Sequence, residues 1–155
     1  MELVEVKLQI AAPADEVWAT VLDVERYAEM MDQVRSVTIV ESPNPSERVT
    51  AWSVFLKGSI LEWTEKESID RRLYRIDFTQ VDGDLAELIG YWLLTPIDSE
   101  CTQAELAVEF DIGIPLLADM LNPVAARALR DNSLHMLREI DLRVTHPSGA
   151  GLPLR

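Results

Sequence analysis

Residues 102–112 read TQAELAVEFDI, and this stretch decides the fold class. Apolar side chains occupy every second position, at Ala104, Leu106, Val108, Phe110 and Ile112, with mostly polar residues between them. Successive side chains of a strand point to opposite sides of its sheet, so this alternation predicts a strand with one buried and one wet face. Such strands are typical of antiparallel sheets, which need another element to cover their apolar face.

The period changes after this strand. From Pro115 to about Val144 apolar residues recur every three to four positions, which predicts one long C-terminal helix. The residue before a proline disfavours helical backbone, so we expect a kink or break at Asn122-Pro123. Residues 1–145 then form a single domain, and the Pro- and Gly-containing stretch 146–155 is predicted to be a disordered tail.

The first part of the chain predicts one strand and two short helices. Residues 2–10 alternate as residues 102–112 do, Pro13 and two acidic residues can open a first helix, and Asp23 can cap a second. From Gln33 onwards only strand patterns and turns occur, with a loop at 42–46. The predicted strands lie at about 34–41, 48–57, 59–69, 73–81, 85–95 and 102–112.

This order of elements predicts a cavity. Only the C-terminal helix is long enough to cover the apolar face of a seven-stranded sheet. One long and two short helices cannot fill the concave side of such a sheet, and a gap of this kind is where small ligands bind. We therefore expect a ligand cavity between the sheet and the C-terminal helix.

Composition excludes several classes of protein. The chain has 155 residues, 48% of them hydrophobic, which is too apolar for a disordered protein. Its formal net charge of −13 repels phosphate backbones and anionic lipids, so we expect no nucleic-acid partner. The same charge disfavours a module that docks on ribosomal RNA. The longest apolar runs are only a few residues, so we expect no stable membrane insertion.

No residue cluster indicates a metal or cofactor. Cys101 is the only cysteine, and neither His135 nor His146 has a partner at ligand spacing. We therefore expect no metal site and no cofactor. A lone cysteine and a start without basic and apolar signal-peptide regions are typical of a cytoplasmic protein.

Several short motifs resemble those of a known family. The first half contains Ile10-Ala11-Ala12-Pro13, Val17-Trp18 and 23–27 (DVERY). The second half contains, in order, 80–83 (QVDG), Leu88, Gly90, Trp92, Thr95-Pro96, Glu109-Phe110 and 115–117 (PLL). Over about residues 3–144 the chain resembles the START and birch-pollen-allergen superfamily, and within it the polyketide cyclase/dehydrase group that includes coenzyme-Q-binding START proteins.

The resemblance implies an α+β helix-grip fold, a curved seven-stranded antiparallel sheet wrapped around a long C-terminal helix with two short helices after the first strand. It also implies two functions. One is binding of a small hydrophobic or aromatic molecule, such as a polyketide, quinone or lipid-like metabolite. The alternative is a polyketide aromatase/cyclase or dehydratase that folds a poly-β-ketone chain in the same cavity. The family's aromatase/cyclases keep pocket arginines on the middle strands, and Glu67 and Thr79 stand at those positions here.

Strand parity and the helix stripe nominate the residues that line the cavity. Trp and Tyr offer flat contact area with a polar tip, which suits a ring-bearing ligand. For Trp52 ordinary core packing is favoured, and Asn132 can either hydrogen-bond a ligand carbonyl or cap a gap with a water. The predicted ligand-binding residues are Trp63, Phe78, Trp92, Phe110, Leu121, Asn132 and Met136.

A reaction in this cavity would require a group that transfers a proton. The catalytic candidates are Glu65, Glu67, Tyr74 and Arg75. The strand that carries the last of them, 73–79, can present either Tyr74, Ile76 and Phe78 or Arg75, Asp77 and Thr79 to the cavity. Hydrophobicity favours the apolar set, because a bare buried charge is costly.

The other face of one strand raises the question of a partner. If Leu88, Gly90 and Trp92 point inward, then Ile89, Tyr91 and Leu93 point outward. A row of exposed apolar side chains indicates either a homodimer contact or a shallow patch that long neighbouring side chains screen. The sequence leaves both open.

Overall fold

The computed structural model describes residues 2–113 and 118–146. Within these residues, seven strands form one antiparallel sheet, and three helices lie against it. One further 3₁₀ turn, Val24–Arg26, joins the first two helices. The strands are β1 (Glu2–Ile10), β2 (Val34–Asn44), β3 (Glu47–Leu56), β4 (Ser59–Asp70), β5 (Arg75–Gly83), β6 (Glu87–Asp98) and β7 (Cys101–Asp111), and the helices are α1 (Ala14–Leu22), α2 (Tyr27–Met30) and α3 (Ala118–Thr145).

The strand order β1-β7-β6-β5-β4-β3-β2 follows from the short connections. Consecutive strands β2 to β7 pair with their neighbours in the chain, and β1 closes the other side of the sheet by pairing with β7. The turn between β3 and β4 is one of these short connections. In it Lys57 and Gly58 both have positive φ, 50° and 78°. Two such residues make a tight hairpin whose twist matches that of its strands.

The inner face of the sheet carries the core. Val4, Ile76, Trp92 and Phe110 point inward from four strands and are buried. Leu137 and Ile140 of α3 are fully buried against this face. The predicted α+β helix-grip fold, with its two short helices after the first strand and its long C-terminal helix, is confirmed.

Two local expectations were wrong. The predicted loop at 42–46 begins later, because β2 continues to Asn44 and a turn at 45–46 leads directly into β3. Of the kink or break expected at Asn122-Pro123, the break does not occur, since α3 continues through Pro123. A proline inside a helix removes one backbone hydrogen bond and crowds the carbonyl oxygen four residues earlier, so the helix continues at a local cost. The side-chain oxygen of Asn122 instead accepts a hydrogen bond from the Ile112 N–H, which ties α3 to the end of β7. The predicted tail lies outside the described residues beyond His146.

The side of β5 that faces the core is the apolar one. Ile76 and Phe78 are buried, whereas Asp77 and Thr79 are exposed, as hydrophobicity predicts. Tyr74 differs from the expectation, because it lies in the turn before β5 with a φ of 54° rather than in the strand.

Long side chains screen part of the outward apolar row on β6. The Arg75 guanidinium lies 4.2 Å from the centre of the Tyr91 ring, and the Tyr91 hydroxyl donates to Glu105. This hydrogen bond raises the pKa of Tyr91 to about 12. Ile89 remains 45% exposed. A homodimer contact at this row stays a prediction. Among the described residues, no helix combines the length and apolar character needed to cross a membrane.

Gly90 shapes the inner face of the sheet. It pairs with Phe78 of β5 and Val108 of β7. A Cβ atom at this position would overlap the Ala107 carbonyl oxygen and lie 2.6 Å from Cζ of Phe78. The absence of a side chain therefore lets the Phe78 ring lie across β6.

We predict that Gly90→Ala lowers the free energy of unfolding by about 1–3 kcal/mol, because the added methyl group must displace the Phe78 ring and the neighbouring strand. Urea denaturation followed by circular dichroism measures the loss. Gly58→Ala is the control, since nothing lies within 4 Å of a Cβ there and only the positive φ is strained, at a cost of about 1 kcal/mol. An equal or smaller loss at Gly90 would contradict the steric explanation.

Candidate functional site

A cavity of about 70 Å³ lies between the inner face of the sheet and α3. Strands β3 to β7 supply one wall, and one side of α3 supplies the other. Most of the lining is apolar, which suits a cavity for a hydrophobic ligand. The described residues that line it are Gln33, Trp52, Val54, Leu61, Trp63, Glu65, Phe78, Leu88, Trp92, Leu106, Val108, Leu129, Asn132, Ser133 and Met136.

Four cross-strand pairs of β3 and β4 build the main wall. They share one face of the sheet, because they stand at every second position of each strand. The composition changes along this row from charged, through polar and aromatic, to aliphatic. The pairs are Arg48–Glu67, Thr50–Glu65, Trp52–Trp63 and Val54–Leu61.

The aromatic part of the wall is held by ring contacts. Trp52 and Trp63 are stacked, with ring centres 5.6 Å apart and planes 6° from parallel. The buried ring of Tyr27 packs edge-on against Trp52 and Trp92, with ring centres 5.7 and 6.2 Å apart. These contacts fix three tryptophan faces around one space, since stacked and edge-to-face pairs are the preferred arrangements of aromatic rings.

The polar end of the row is a buried ion pair. Nε of Arg48 donates to Oε1 of Glu67 at 2.5 Å, and Arg48 and Glu67 are only 7% and 2% exposed. Nη1 of Arg48 also donates to the Leu22 carbonyl oxygen at the end of α1, at 2.8 Å. The hydroxyl of Thr50 donates to Oε2 of Glu67 at 2.8 Å. Both carboxylate oxygens of Glu67 are therefore engaged, as a buried charge requires.

Glu65 is the acidic group that reaches the cavity itself. It is 2% exposed, and its Oε1 accepts a hydrogen bond from Nε1 of Trp63 at 2.7 Å. Burial, followed by the hydrogen bond and negative charge of Glu67, raises the pKa of Glu65 well above 4.5. One guanidinium stands beside two buried carboxyl groups and is bound to Glu67, so burial without a bound cation favours the protonated form of Glu65.

A hydrogen-bonded strap joins α3 to the sheet at the other end of the cavity. The side-chain amide of Asn132 donates to the Phe55 carbonyl oxygen at 3.0 Å, and Gln33 donates to the Asn132 carbonyl oxygen at 3.1 Å. The Phe55 N–H donates to the Gln33 carbonyl oxygen at 2.7 Å. Gln33 and Asn132 line the cavity and are half-exposed, so this strap lies where the cavity meets solvent.

The structure places five of the seven predicted ligand-binding residues on the cavity wall: Trp63, Phe78, Trp92, Asn132 and Met136. Phe110 and Leu121 are not among the described lining residues. Phe110 is fully buried opposite Leu88 in the core, and Leu121 lies half-buried near the start of α3. The side-chain amide of Asn132 is already bound to Phe55, so its main contact is structural in this state.

The four catalytic candidates divide into two groups. Glu65 and Glu67 lie together in the buried cluster. Tyr74 instead donates to Asp15 of α1 at 2.6 Å, which raises the pKa of Tyr74. Arg75 points outward and pairs with Asp77 at 3.0 Å. Neither is among the described residues that line the cavity, and a catalytic role for either stays a prediction.

Sequence reasoning missed Trp52 as a lining residue and Arg48 as the partner of the acids. A signal for both was present, because Arg48 and Thr50 share parity with Trp52 and Val54, and Glu65 and Glu67 share parity with Trp63. Charged residues at inward positions of two adjacent strands indicate a buried pair. Within residues 2–113 and 118–146, no three His, Cys, Asp or Glu side chains form a group that could hold a metal ion.

The chain is similar to known proteins in sequence pattern and in fold. A model of the family described as polyketide cyclase / dehydrase and lipid transport matches residues 10–137. A protein of solved structure from Thermus thermophilus is 23% identical, with a TM-score of 0.87 over 95% of this chain and 99% of its own. The comparison with curated protein sequences finds no match.

Two further solved structures share the fold. The Zhui aromatase/cyclase from Streptomyces sp. R1128 is 23% identical, with a TM-score of 0.83 over 99% of both chains. A START superfamily protein from Mycobacterium smegmatis is 16% identical, with a TM-score of 0.79 over 93% of this chain and 97% of its own. At these identities the likeness concerns the fold.

We predict that Glu65→Gln changes the pH dependence of stability. The pKa of Glu65 is higher in the folded protein than its ordinary value of 4.5. The folded state therefore binds the Glu65 proton more tightly than the unfolded state does. The stability gained from this difference is fully present below pH 4.5 and is lost as pH rises through the folded pKa. Glutamine is neutral throughout and does not show this loss. The stability of wild type relative to Glu65→Gln should fall by up to about 1.4 kcal/mol per pH unit above the ordinary pKa.

Urea denaturation between about pH 4 and pH 8 measures this difference. The control is Glu62→Gln, an exposed glutamate on the same strand, whose curve should run parallel to that of wild type. Parallel curves for wild type and Glu65→Gln would contradict a neutral Glu65.

Proposed function

The chain belongs to the polyketide cyclase / dehydrase and lipid transport family, and on this premise we propose that it binds a small hydrophobic or aromatic molecule in the cavity between the sheet and α3. The candidates are a polyketide, a quinone or a lipid-like metabolite. The observation that carries the proposal is the aromatic lining, with Trp52, Trp63 and Trp92 around one space.

The lining favours flat, apolar ligands. Phe78, Leu88, Leu106 and Val108 form an apolar floor on three strands. A ring between this floor and the stacked tryptophans would gain hydrophobic burial and aromatic contacts together. The few polar groups, of which Glu65 is the most buried, would orient the ligand.

Binding requires the cavity to expand. Its volume of about 70 Å³ is below the roughly 300–1,000 Å³ of pockets that hold drug-sized ligands. The strap of Gln33, Asn132 and Phe55 lies at the exposed end and consists of three hydrogen bonds. Parting this strap and moving α3 would admit the ligand with little disturbance of the sheet.

We predict that Trp92→Phe lowers stability by about 1 kcal/mol but lowers the affinity for an apolar fluorescent probe by more than about tenfold, because aromatic anchors contribute disproportionately to binding. The denaturation midpoint and a titration with an extrinsic naphthalene dye measure the two effects on one variant.

Trp18→Phe is the matched control for this substitution. Trp18 is buried against Tyr74 and is not among the described lining residues. It should lose similar stability and keep its affinity for the dye. A large stability loss at Trp92 with unchanged dye binding would remove Trp92 from the site.

A second function is a polyketide aromatase/cyclase or dehydratase that folds a poly-β-ketone chain in the same cavity. One specific observation favours it, namely the buried Glu65 carboxyl group on an apolar wall, whose pKa is raised by its burial. In aldol closure the attacking carbon would lose its proton to a water molecule and form the new C–C bond, while Glu65 would protonate the carbonyl oxygen that becomes a hydroxyl. The proton taken up by water would then return to Glu65, so the group is regenerated and no net proton is consumed.

We predict that, if this reaction occurs, Glu65→Gln slows cyclisation by about 10²–10⁴-fold, the usual contribution of a positioned proton donor. Mass spectrometry and ultraviolet absorbance of a synthetic poly-β-ketone incubated with each variant follow the ring closure. Trp18→Phe should cyclise it as wild type does. Equal rates with and without protein would remove the enzyme function and leave the binding function intact.

The remaining partner proposals come from charge and sequence. A net charge of −13 argues against nucleic acid as a partner. A homodimer contact at Ile89, Tyr91 and Leu93 and a cytoplasmic location stay predictions.

A further inference from the structure

We propose that Glu65 determines the ligand class of the cavity: its carboxyl group donates a hydrogen bond to a neutral ketone, quinone or phenol oxygen and excludes ligands that carry a carboxylate. This inference rests on the proposed function, because it assumes that a ligand occupies the cavity between the sheet and α3.

The charges around Glu65 are unequal in number. Among the described residues, the titratable groups that act on Glu65 are Glu67 on its own strand and Arg48 on β3, and Tyr27 of α2 lies close enough to feel its charge. Arg48 provides the one positive charge in this set. Its Nε is bound to Glu67 and its Nη1 to the Leu22 carbonyl oxygen.

A second carboxylate beside the Arg48–Glu67 pair would be buried and uncompensated, which is costly at low dielectric. Glu65 is the carboxyl group that lacks a bound cation, so it keeps the proton. The Tyr27 hydroxyl takes no part in this pair, because it donates to the Val21 carbonyl oxygen rather than to either acid.

The orientation of the Glu65 carboxyl group lets its proton reach a ligand. The Trp63 indole already donates to Oε1 of Glu65, so the carboxyl group is oriented by its accepting oxygen. The carboxylate of Glu67 lies behind Glu65 and the cavity lies in front of it. When the proton turns toward a ligand oxygen, Glu67 keeps the hydrogen bonds from Arg48 and Thr50. The donor can therefore be redirected without leaving Glu67 unpaired.

The charge of the cavity lining excludes ligands that carry a carboxylate. None of the described residues that line the cavity is Lys, Arg or His. A ligand carboxylate next to Glu65 would also approach the negative charge of Glu67. Like charges brought together at a buried site cost several kcal/mol. A neutral carbonyl or phenol oxygen accepts the Glu65 proton and adds no charge.

Three probes of matched shape separate these contributions: 2-acetylnaphthalene carries a ketone, 2-isopropenylnaphthalene replaces its oxygen with a carbon, and 2-naphthoate carries a carboxylate. Calorimetric titration of the wild-type protein should show the ketone binding up to about tenfold more tightly than the hydrocarbon, the value of one net hydrogen bond. The carboxylate should bind at least about a hundredfold more weakly than the ketone.

Two substitutions at Glu65 test the donor. Glu65→Leu should lower the ratio of ketone to hydrocarbon affinity to about one and retain binding of the hydrocarbon. Glu65→Gln keeps an N–H donor without a charge, so it should retain most of the preference for the ketone. Glu62→Gln changes an exposed glutamate of the same strand that is not among the described lining residues, and the preference should persist in this variant.

Infrared difference spectra provide a measurement that does not depend on how well Glu65→Leu folds. Wild type should show the C=O band of a protonated carboxyl group that is missing in Glu65→Gln. The ketone probe should shift this band and the hydrocarbon should leave it in place. A band that is absent or insensitive to the ketone would overturn the proposal.

The outcomes distinguish this inference from the function on which it rests. If none of the three probes binds, the proposed binding function fails and the inference with it. If the hydrocarbon and ketone bind equally to wild type, the inference fails and the binding function stands. A preference that survives Glu65→Leu, or disappears in Glu62→Gln, would also overturn the role of Glu65.

Discussion

The buried ion pair between Arg48 and Glu67 is the interaction on which the site depends. It fixes β3 against β4 and, through the Leu22 carbonyl oxygen, ties the end of α1 to the sheet. Removing one partner of such a pair costs about 3–5 kcal/mol, because the other charge is left buried and uncompensated. Since Arg48 is bound to Glu67, Glu65 is left without a bound cation, and its burial raises its pKa.

The apolar character of the cavity wall depends on Arg48 being bound to Glu67 and not to Glu65. A neutral Glu65 can stand beside stacked tryptophans and aliphatic side chains, whereas an ionised one would draw water into the same space. The row from Arg48 to Val54 thus places a polar anchor at one end and an apolar surface at the other. Ligand binding and proton transfer use the same arrangement, which is why one site supports both proposed functions and why the two need separate measurements.

The helix side of the cavity is held less firmly than the sheet side. Strand β3 is fixed to β4 along its length by ladder hydrogen bonds, whereas α3 meets the exposed end of the cavity through Asn132 and Gln33. Backbone ladders open cooperatively, but a strap of a few partly solvated hydrogen bonds can open locally. Expansion of the cavity is therefore expected at α3, while the tryptophans and Glu65 stay in place.

The sequence by itself determined the strand and helix pattern and the inward faces, because hydrophobic periodicity is local: alternation placed Trp92 and Phe78 inward, and the change of period after Pro115 gave α3. The sequence pattern was wrong about where β2 ends and about a break at Pro123. At these two places, pairing across the sheet and a hydrogen bond from the Ile112 N–H outweigh the local backbone preference. Only the tertiary structure decided the site. Arg48 and Glu67 are far apart in the chain, and their pairing depends on the register of β3 against β4. Likewise, the partner of Asn132 and the exclusion of Tyr74 and Arg75 follow from packing between distant elements, which no local pattern records.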